Sequence, residues 1–250
     1  MMPFKKLLGV LLAVIPGCFS LDALGQACTV LGQTPETAFP VCGSNIFTQD
    51  SVPICNDGGV PVPGCGAGYS AINPYWYKFT CFSSGTLGML ISPANQGDDY
   101  DWEIFDVTGQ PLSAVYTNIN LVVADNWSGV YGNTGTSQTA VGNSECGSVG
   151  NPPYTTPPPF SAMPYLIQGH DYLLLISHFS GSGQSGYQLS FSGGTASITD
   201  TTQPLVNSAN AVCLSVVGVR LNKKMSCSSL TASGSEFSIS PLPPGITIVS

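Results

Sequence analysis

The chain has 250 residues, a formal net charge of -8 at pH 7 and charged side chains at only 8% of its positions. With 29 Gly, 20 Pro and an apolar fraction of 43%, the composition is typical of an all-β exported protein rather than of a disordered or helical one. The negative charge excludes nucleic acid as a partner, because a phosphate backbone demands a basic protein face. It also argues against binding to an anionic lipid surface.

Residues 1–27 have the organisation of a signal peptide. Two lysines precede an apolar run from Leu7 to Ile15 that is too short to span a bilayer, and a small-residue site ends at Ala27. We therefore predict cleavage after Ala27 and a secreted or cell-surface location. A lipoprotein acceptor at Cys18 is the less favoured alternative, because Pro16 fits such a site poorly. No other segment resembles a transmembrane span.

Cysteines are the next signal. The chain has nine, and removal of Cys18 with the leader leaves eight. These are Cys28, Cys42, Cys55, Cys65, Cys81, Cys146, Cys213 and Cys227. An even number in an exported chain predicts disulfide bonds. Zinc is the weaker alternative, because the chain has no C-x-x-C pair. We expect only Cys213 with Cys227 to be a local pair, and the remaining connectivity stays open.

Strand patterns dominate the region after a turn-rich, cysteine-rich start. They are Tyr75–Phe82, Thr86–Ile91, Tyr100–Asp106, Leu112–Tyr116, Asn120–Asp125, His170–His178 and Tyr187–Phe191. The continuous apolar centre of His170–His178 predicts a strand buried on both sides. Residues Asn126 to Pro159 predict a long surface loop. Together with an N-terminal edge strand, roughly eight strands predict an all-β, antiparallel two-sheet β-sandwich of jelly-roll-like form.

A domain boundary is expected near Thr199 to Pro204, so that residues 28–199 form the disulfide-containing sandwich. Residues 200–250 show further strand patterns, but about fifty residues cannot complete an Ig-like sandwich of ~100. We therefore expect this chain to end inside its second domain and to continue into further domains of the same polypeptide.

Five carboxylates are concentrated on one predicted strand and its entry loop. They are Asp98, Asp99, Asp101, Glu103 and Asp106. Hard cations take six to eight oxygen ligands, and crowded carboxylates repel one another without a cation, so calcium is the favoured occupant. The alternative is a solvated acidic edge that discourages sheet aggregation. Glycosidase chemistry is the least favoured, because nothing supplies the opposite wall of a cleft.

Trp127 and Tyr131 lie in the predicted long loop, flanked by small polar residues, and are the aromatic pair that we expect to face a ligand such as a sugar. Catalytic signatures are absent from the sequence: it has no G-x-S-x-G elbow, no H-E-x-x-H and no phosphate loop. We therefore expect a protein that is not an enzyme.

Several runs carry a family resemblance. They are TPETAFPVC (34–42), NPYWYKFTC (73–81), DDYDWEIFDVTG (98–109), GHDYLLLISHF (169–179) and SGYQLSFSGGTASITD (185–200). Together they resemble the N-terminal module of large exported Bacteroidetes surface proteins, the gliding-motility-associated, type IX secretion class. The strand order is also similar to the bacterial pre-peptidase C-terminal sandwich, and residues 219–237 are similar to the first half of a bacterial Ig-like domain of surface-layer type.

The resemblance implies a long, multi-module, secreted or surface-attached protein, and it names no ligand. The expected function is that of a non-catalytic adhesion or gliding-associated module, rigidified by calcium, with an extracellular glycan or protein surface as its partner. The alternative is an accessory or carbohydrate-binding domain of an exported hydrolase whose catalytic part lies beyond Ser250.

Overall fold

The computed structural model describes residues 27–43, 46–52, 54–65, 69–148, 156–179, 185–213 and 216–223. The predicted signal peptide, except Ala27, lies outside these ranges. The described residues hold three short 3-10 helices and no α-helix. The helices are η1 (Pro35–Thr37), η2 (Leu112–Tyr116) and η3 (Ile119–Leu121). The strands are β1 (Phe39–Pro40), β2 (Phe47–Gln49), β3 (Asn56–Val60), β4 (Tyr69–Ile72), β5 (Pro74–Thr80), β6 (Gly85–Thr86), β7 (Met89–Pro93), β8 (Tyr100–Asp106), β9 (Val122–Ser128), β10 (Thr134–Ser137), β11 (Ser144–Gly147), β12 (Phe160–Ala162), β13 (Tyr165–Leu166), β14 (Asp171–His178), β15 (Tyr187–Phe191), β16 (Val206–Cys213) and β17 (Val216–Leu221).

The chain separates into two compact units, one up to Thr199 and one from Asp200. In the second unit, β16 and β17 pair antiparallel, and Lys223 Nζ lies 2.6 Å from the Asp200 carboxylate. The remainder of the predicted Ig-like domain lies outside the described residues.

Two large sheets form the sandwich of the first unit and confirm the all-β fold, and the two-stranded sheets β3/β4 and β6/β13 accompany them. The six-stranded sheet has the order β1-β5-β14-β8-β9-β11, and the five-stranded sheet has the order β12-β10-β7-β15-β2. The chain crosses repeatedly between them, since β7, β10, β12 and β15 belong to one sheet and β8, β9, β11 and β14 to the other. The sheets are mixed rather than purely antiparallel, because the edge pairs β1/β5, β9/β11 and β10/β12 are parallel.

The main core lies between the two sheets and is rich in aromatic side chains. Alternate residues of β8, namely Tyr100, Trp102 and Ile104, point into it, as the sequence pattern predicts. The Tyr77 and Tyr187 hydroxyls join the two sheets at 2.8 Å. As expected, β14 is central, pairs with both β5 and β8, and is buried on both faces.

Two sequence predictions about local structure are wrong. The predicted strand Leu112–Tyr116 is the 3-10 helix η2, which begins after Pro111 and buries only Val115 in the second core described next. The predicted loop Asn126–Pro159 contains the end of β9 and all of β10 and β11. β10 and β11 carry few apolar side chains, and in β10 the backbone of Gly135 packs directly against the Met89 backbone, where a side chain would collide.

A second core covers the outer face of the six-stranded sheet. Trp76, Phe105 and Leu175 of the sheet pack there against Val60 and Val62. We call residues 56–65 the covering segment. The Cys65–Cys146 disulfide attaches the C-terminal end of the covering segment to β11. The Cys28–Cys55 disulfide joins the two ends of the stretch that precedes the segment. The outer face is therefore enclosed rather than solvated.

Two of the predicted disulfide cysteines are free thiols, Cys42 and Cys81. Strand parity explains why they do not bond. Cys81 follows β5 on the side of Tyr77 and Phe79 and is buried in the main core, whereas Cys42 follows β1 and is exposed. The predicted pair of Cys213 with Cys227 falls outside the described side chains.

Substitution of Gly32 tests the contact between the N-terminal region and the Tyr75 ring. Its φ is +83°, and an added Cβ would overlap the Tyr75 ring. We expect Gly32→Ala to destabilise the first unit by about 2–5 kcal/mol, from left-handed strain and overpacking together. The matched control is Gly109→Ala, where φ is +70° and no heavy atom lies within 4 Å of the added Cβ.

Gly109→Ala should cost only about 1–2 kcal/mol, from strain alone. Urea unfolding followed by tryptophan fluorescence measures both variants, because all three Trp residues lie in the first unit. Equal losses would contradict the contact between Gly32 and Tyr75.

Candidate functional site

Four carboxylates lie on the enclosed outer face of the six-stranded sheet. Asp101 and Glu103 alternate with the core residues of β8, Asp99 precedes them, and Asp125 of β9 is paired directly with Glu103. Their exposed fractions are 7% for Asp99, 4% for Asp101 and 0% for both Glu103 and Asp125. We call these four residues the acidic row. The alternative of a solvated acidic edge is therefore wrong.

Electrostatic interactions divide the acidic row into two pairs. Burial raises the pKa of Asp99 to about 6, and burial together with the charge of Asp99 raises the pKa of Asp101 well above its usual range. Burial, followed by the charge of Asp125, likewise raises the pKa of Glu103, which the Trp127 indole partly offsets. Burial raises the pKa of Asp125 to about 7, against a lowering by Ser144.

Hydrogen bonding leaves part of the acidic row uncompensated. Asp99 Oδ1, both Glu103 carboxylate oxygens and Asp125 Oδ2 are buried with no hydrogen-bond partner among the described residues. Lys78 is the only Lys or Arg in the sequence between residues 28 and 199, and it is exposed. Because an unpaired buried carboxylate costs several kcal/mol, protons or an external cation must neutralise the row.

Asp98 lies apart from the acidic row. It accepts a hydrogen bond from the Ser185 hydroxyl and lies 3.8 Å from His178 Nε2, on the side of Tyr100. The His178 ring packs edge-to-face on Tyr100 at 4.7 Å. Ser185 donates to the carboxylate and not to the imidazole, so the order of contacts differs from a hydrolase relay, in which His lies between Ser and Asp.

Asp106 lies at the opposite end of β8. Its Oδ2 is 2.7 Å from His170 Nδ1, and its Oδ1 accepts hydrogen bonds from Thr108. Burial works to raise the pKa of Asp106, but these hydrogen bonds outweigh it and leave the pKa lowered. Asp106 therefore has its own partners and is separate from the acidic row.

The five predicted calcium ligands thus occupy three places. Asp99, Asp101 and Glu103 lie in the row, whereas Asp98 and Asp106 do not. Within the described ranges, no group of three or more His, Cys, Asp or Glu side chains is arranged to hold a metal ion. Sequence reasoning missed Asp125, although the predicted strand that ends there carries the signal, because Asp125 follows Ala124 as the next outward position.

The predicted aromatic pair is also divided. Trp127 belongs to β9 and is 4% exposed within the second core, so it is not ligand-facing. Tyr131 follows in the connection to β10 and is 66% exposed. Only Tyr131 remains available to a partner.

Comparisons with protein-family models, with curated proteins and with solved structures give no match to this chain. Among the described residues, no helix has the length and apolar character needed to cross a membrane. The acidic row is therefore interpreted from its own chemistry.

The acidic row predicts an inverted pH dependence of stability. Between pH 4 and pH 7 the folded protein keeps protons on Asp99 and Asp125 that the unfolded chain loses near 3.8, so unfolding releases protons. Raising the pH through this window should lower Tm by about 5 °C or more, and Asp101 and Glu103, whose pKa values are raised well above their usual range, extend the decrease to higher pH. Asp106 does not oppose this, because its lowered pKa acts below the window.

Thermal unfolding by circular dichroism, from pH 4.5 to pH 8 in EDTA at constant ionic strength, measures the effect. A Tm that is constant or rises with pH over this range would show that the row is ionised in the folded protein.

Proposed function

We propose that the first unit is a non-catalytic, exported β-sandwich module of a larger surface or adhesion protein. The observation that carries the proposal is the pair of disulfides, Cys28–Cys55 and Cys65–Cys146. Such bonds persist in oxidising compartments and are rare in the cytosol. Here one of them attaches the covering segment to the sandwich, so the oxidised form is the one that encloses the outer face.

The placement of the titratable groups supports a non-catalytic role. The acidic row is buried on the outer face of the six-stranded sheet, with no member more than 7% exposed. The two histidines each face an aspartate, His170 facing Asp106 and His178 facing Asp98. A catalytic acid or base has to reach its substrate, and these groups are instead engaged within the fold. Tyr131, being exposed, is the residue that we propose for contact with an extracellular glycan or protein.

The native secreted polypeptide tests the proposal. We expect a mass several-fold above the 25.9 kDa of this chain, with both disulfides present in peptides mapped without reduction. Retention inside the cell with reduced cysteines would overturn export. A secreted product of the size of this chain without its leader would contradict the proposal that the module belongs to a larger protein.

Peptides from the remaining polypeptide distinguish the two classes of parent protein. Repeated Ig-like modules and a surface-sorting domain would support the adhesion or gliding-associated class that the sequence resembles. A catalytic domain would instead support the alternative, an accessory or carbohydrate-binding domain of an exported hydrolase.

Calcium binding is a second proposal, now confined to Asp99 and Asp101. The observation that favours it is Asp99 Oδ1, which is buried without a hydrogen-bond partner beside a second carboxylate. Calcium carboxylate sites of this kind add a cation where two acids would otherwise repel.

We expect millimolar calcium to raise Tm by at least about 3 °C over EDTA at pH 7.5, because ligand binding to the folded state stabilises it. The combined variant Asp99→Asn, Asp101→Asn should lose this calcium-dependent shift, whereas Asp171→Asn, at an exposed position on β14, should keep it. The shift is compared within each variant, because neutralising buried acids changes stability by itself. The absence of a calcium-dependent rise in Tm in the wild-type protein would contradict the calcium proposal.

A further inference from the structure

The Ser144 hydroxyl joins the acidic row to the covering segment. Its Oγ lies 2.7 Å from the Pro63 carbonyl oxygen and 2.9 Å from Asp125 Oδ1. A hydroxyl carries one hydrogen, and a carbonyl oxygen can only accept. If Ser144 donates to Pro63, the contact with Asp125 needs a second hydrogen. A protonated Asp125 supplies that hydrogen and donates it to Ser144.

The acidic side chains that face Asp125 also favour its neutral form, and burial outweighs the hydrogen bonds from Ser144 and the Glu145 backbone N–H, which favour the carboxylate. Glu103 lies directly opposite on β8, and Glu145 follows Ser144 on β11, so both neighbouring strands present acids. Asp125 is fully buried, and its Oδ2 has no partner among the described residues. Burial raises the pKa of Asp125 to about 7, which agrees with this hydrogen count.

We propose that the Asp125 carboxyl, the Ser144 hydroxyl and the Pro63 carbonyl form a pH-sensitive latch that fastens the covering segment to the sandwich. While Asp125 is protonated, its proton and the Ser144 proton run in one direction, from β9 through β11 to the segment. When Asp125 loses its proton, its carboxylate competes with Pro63 for the single hydrogen of Ser144. The new charge also faces Glu103.

The Cys65–Cys146 disulfide lies next to the latch and limits what its opening does. Pro63 is two residues before Cys65, and Ser144 is two residues before Cys146. Opening therefore loosens the covering segment around a fixed covalent point and does not release it. Val60 and Val62 are the apolar contacts that local opening would expose.

Hydrogen exchange of the intact disulfide-bonded chain tests the latch. Peptides that cover residues 56–65 and β11 are followed at pH 5.5 and pH 8.0 in EDTA, with each rate corrected for intrinsic exchange. In the wild type we expect protection of these peptides to fall about tenfold or more at pH 8.0, as Asp125 ionises. Peptides from β14 should lose less protection than the covering segment, because they follow global unfolding and not the local opening.

Three variants separate the latch from a general effect of pH. Asp125→Asn has an amide that donates to Ser144 at every pH, so protection should stay high at both values. Ser144→Ala removes the relay, so protection of the covering segment should be low at both. Asp171→Asn, exposed on β14, should behave as the wild type does.

Either of two results would overturn the proposal. One is Asp125→Asn retaining the pH response of the wild type, which would place the titrating group elsewhere. The other is calcium restoring wild-type protection at pH 8.0 while leaving Asp125→Asn unchanged, which would assign a cation and not a proton to this position.

Discussion

The need to neutralise four enclosed carboxylates is the constraint on which the rest of this structure depends. Asp99, Asp101, Glu103 and Asp125 lie buried on one sheet face, and the sandwich sequence offers one basic side chain, Lys78, which is exposed. An internal ion pair is thus not the solution adopted. We therefore expect a proton or a metal ion from solution to neutralise the most buried acids, so that the stability of the protein depends on pH or on metal concentration.

Disulfides are what make that enclosure durable. Apolar contacts from Val60 and Val62 alone would compete with the hydration of acids beneath them. The Cys65–Cys146 bond closes a separation of 81 residues, so it removes much conformational freedom from the unfolded chain. The disulfide therefore keeps the covering segment in place although the hydration of buried carboxylates favours its opening.

Sequence patterns identified the strands that bury apolar side chains and missed those that do not. β8, β14 and β15 have clear alternation or a continuous apolar centre, and each was predicted close to its observed limits. β10 consists of Thr, Gly and Ser, and β11 of Ser, Glu, Cys and Gly, so neither strand has the apolar alternation that a periodic signal requires.

The sequence predicted which carboxylates belong to the site but not whether they are buried. The sequence singled out Asp99, Asp101 and Glu103, yet alternation alone does not tell whether the second face of a strand meets water or protein. That depends on the covering segment, which precedes β8 by about forty residues in the sequence, and on a disulfide connectivity that spacing does not encode. The burial of Asp125 and Trp127 could not be predicted either, because both lie on this same outer face.

The edges of both sheets limit how copies of this chain can associate. The four edge strands β1, β11, β12 and β2 have only two, four, three and three residues, and β1 ends in proline. Short edges offer few free backbone groups to another molecule. Copies of this chain at high concentration can therefore touch through their side chains without polymerising through their backbones.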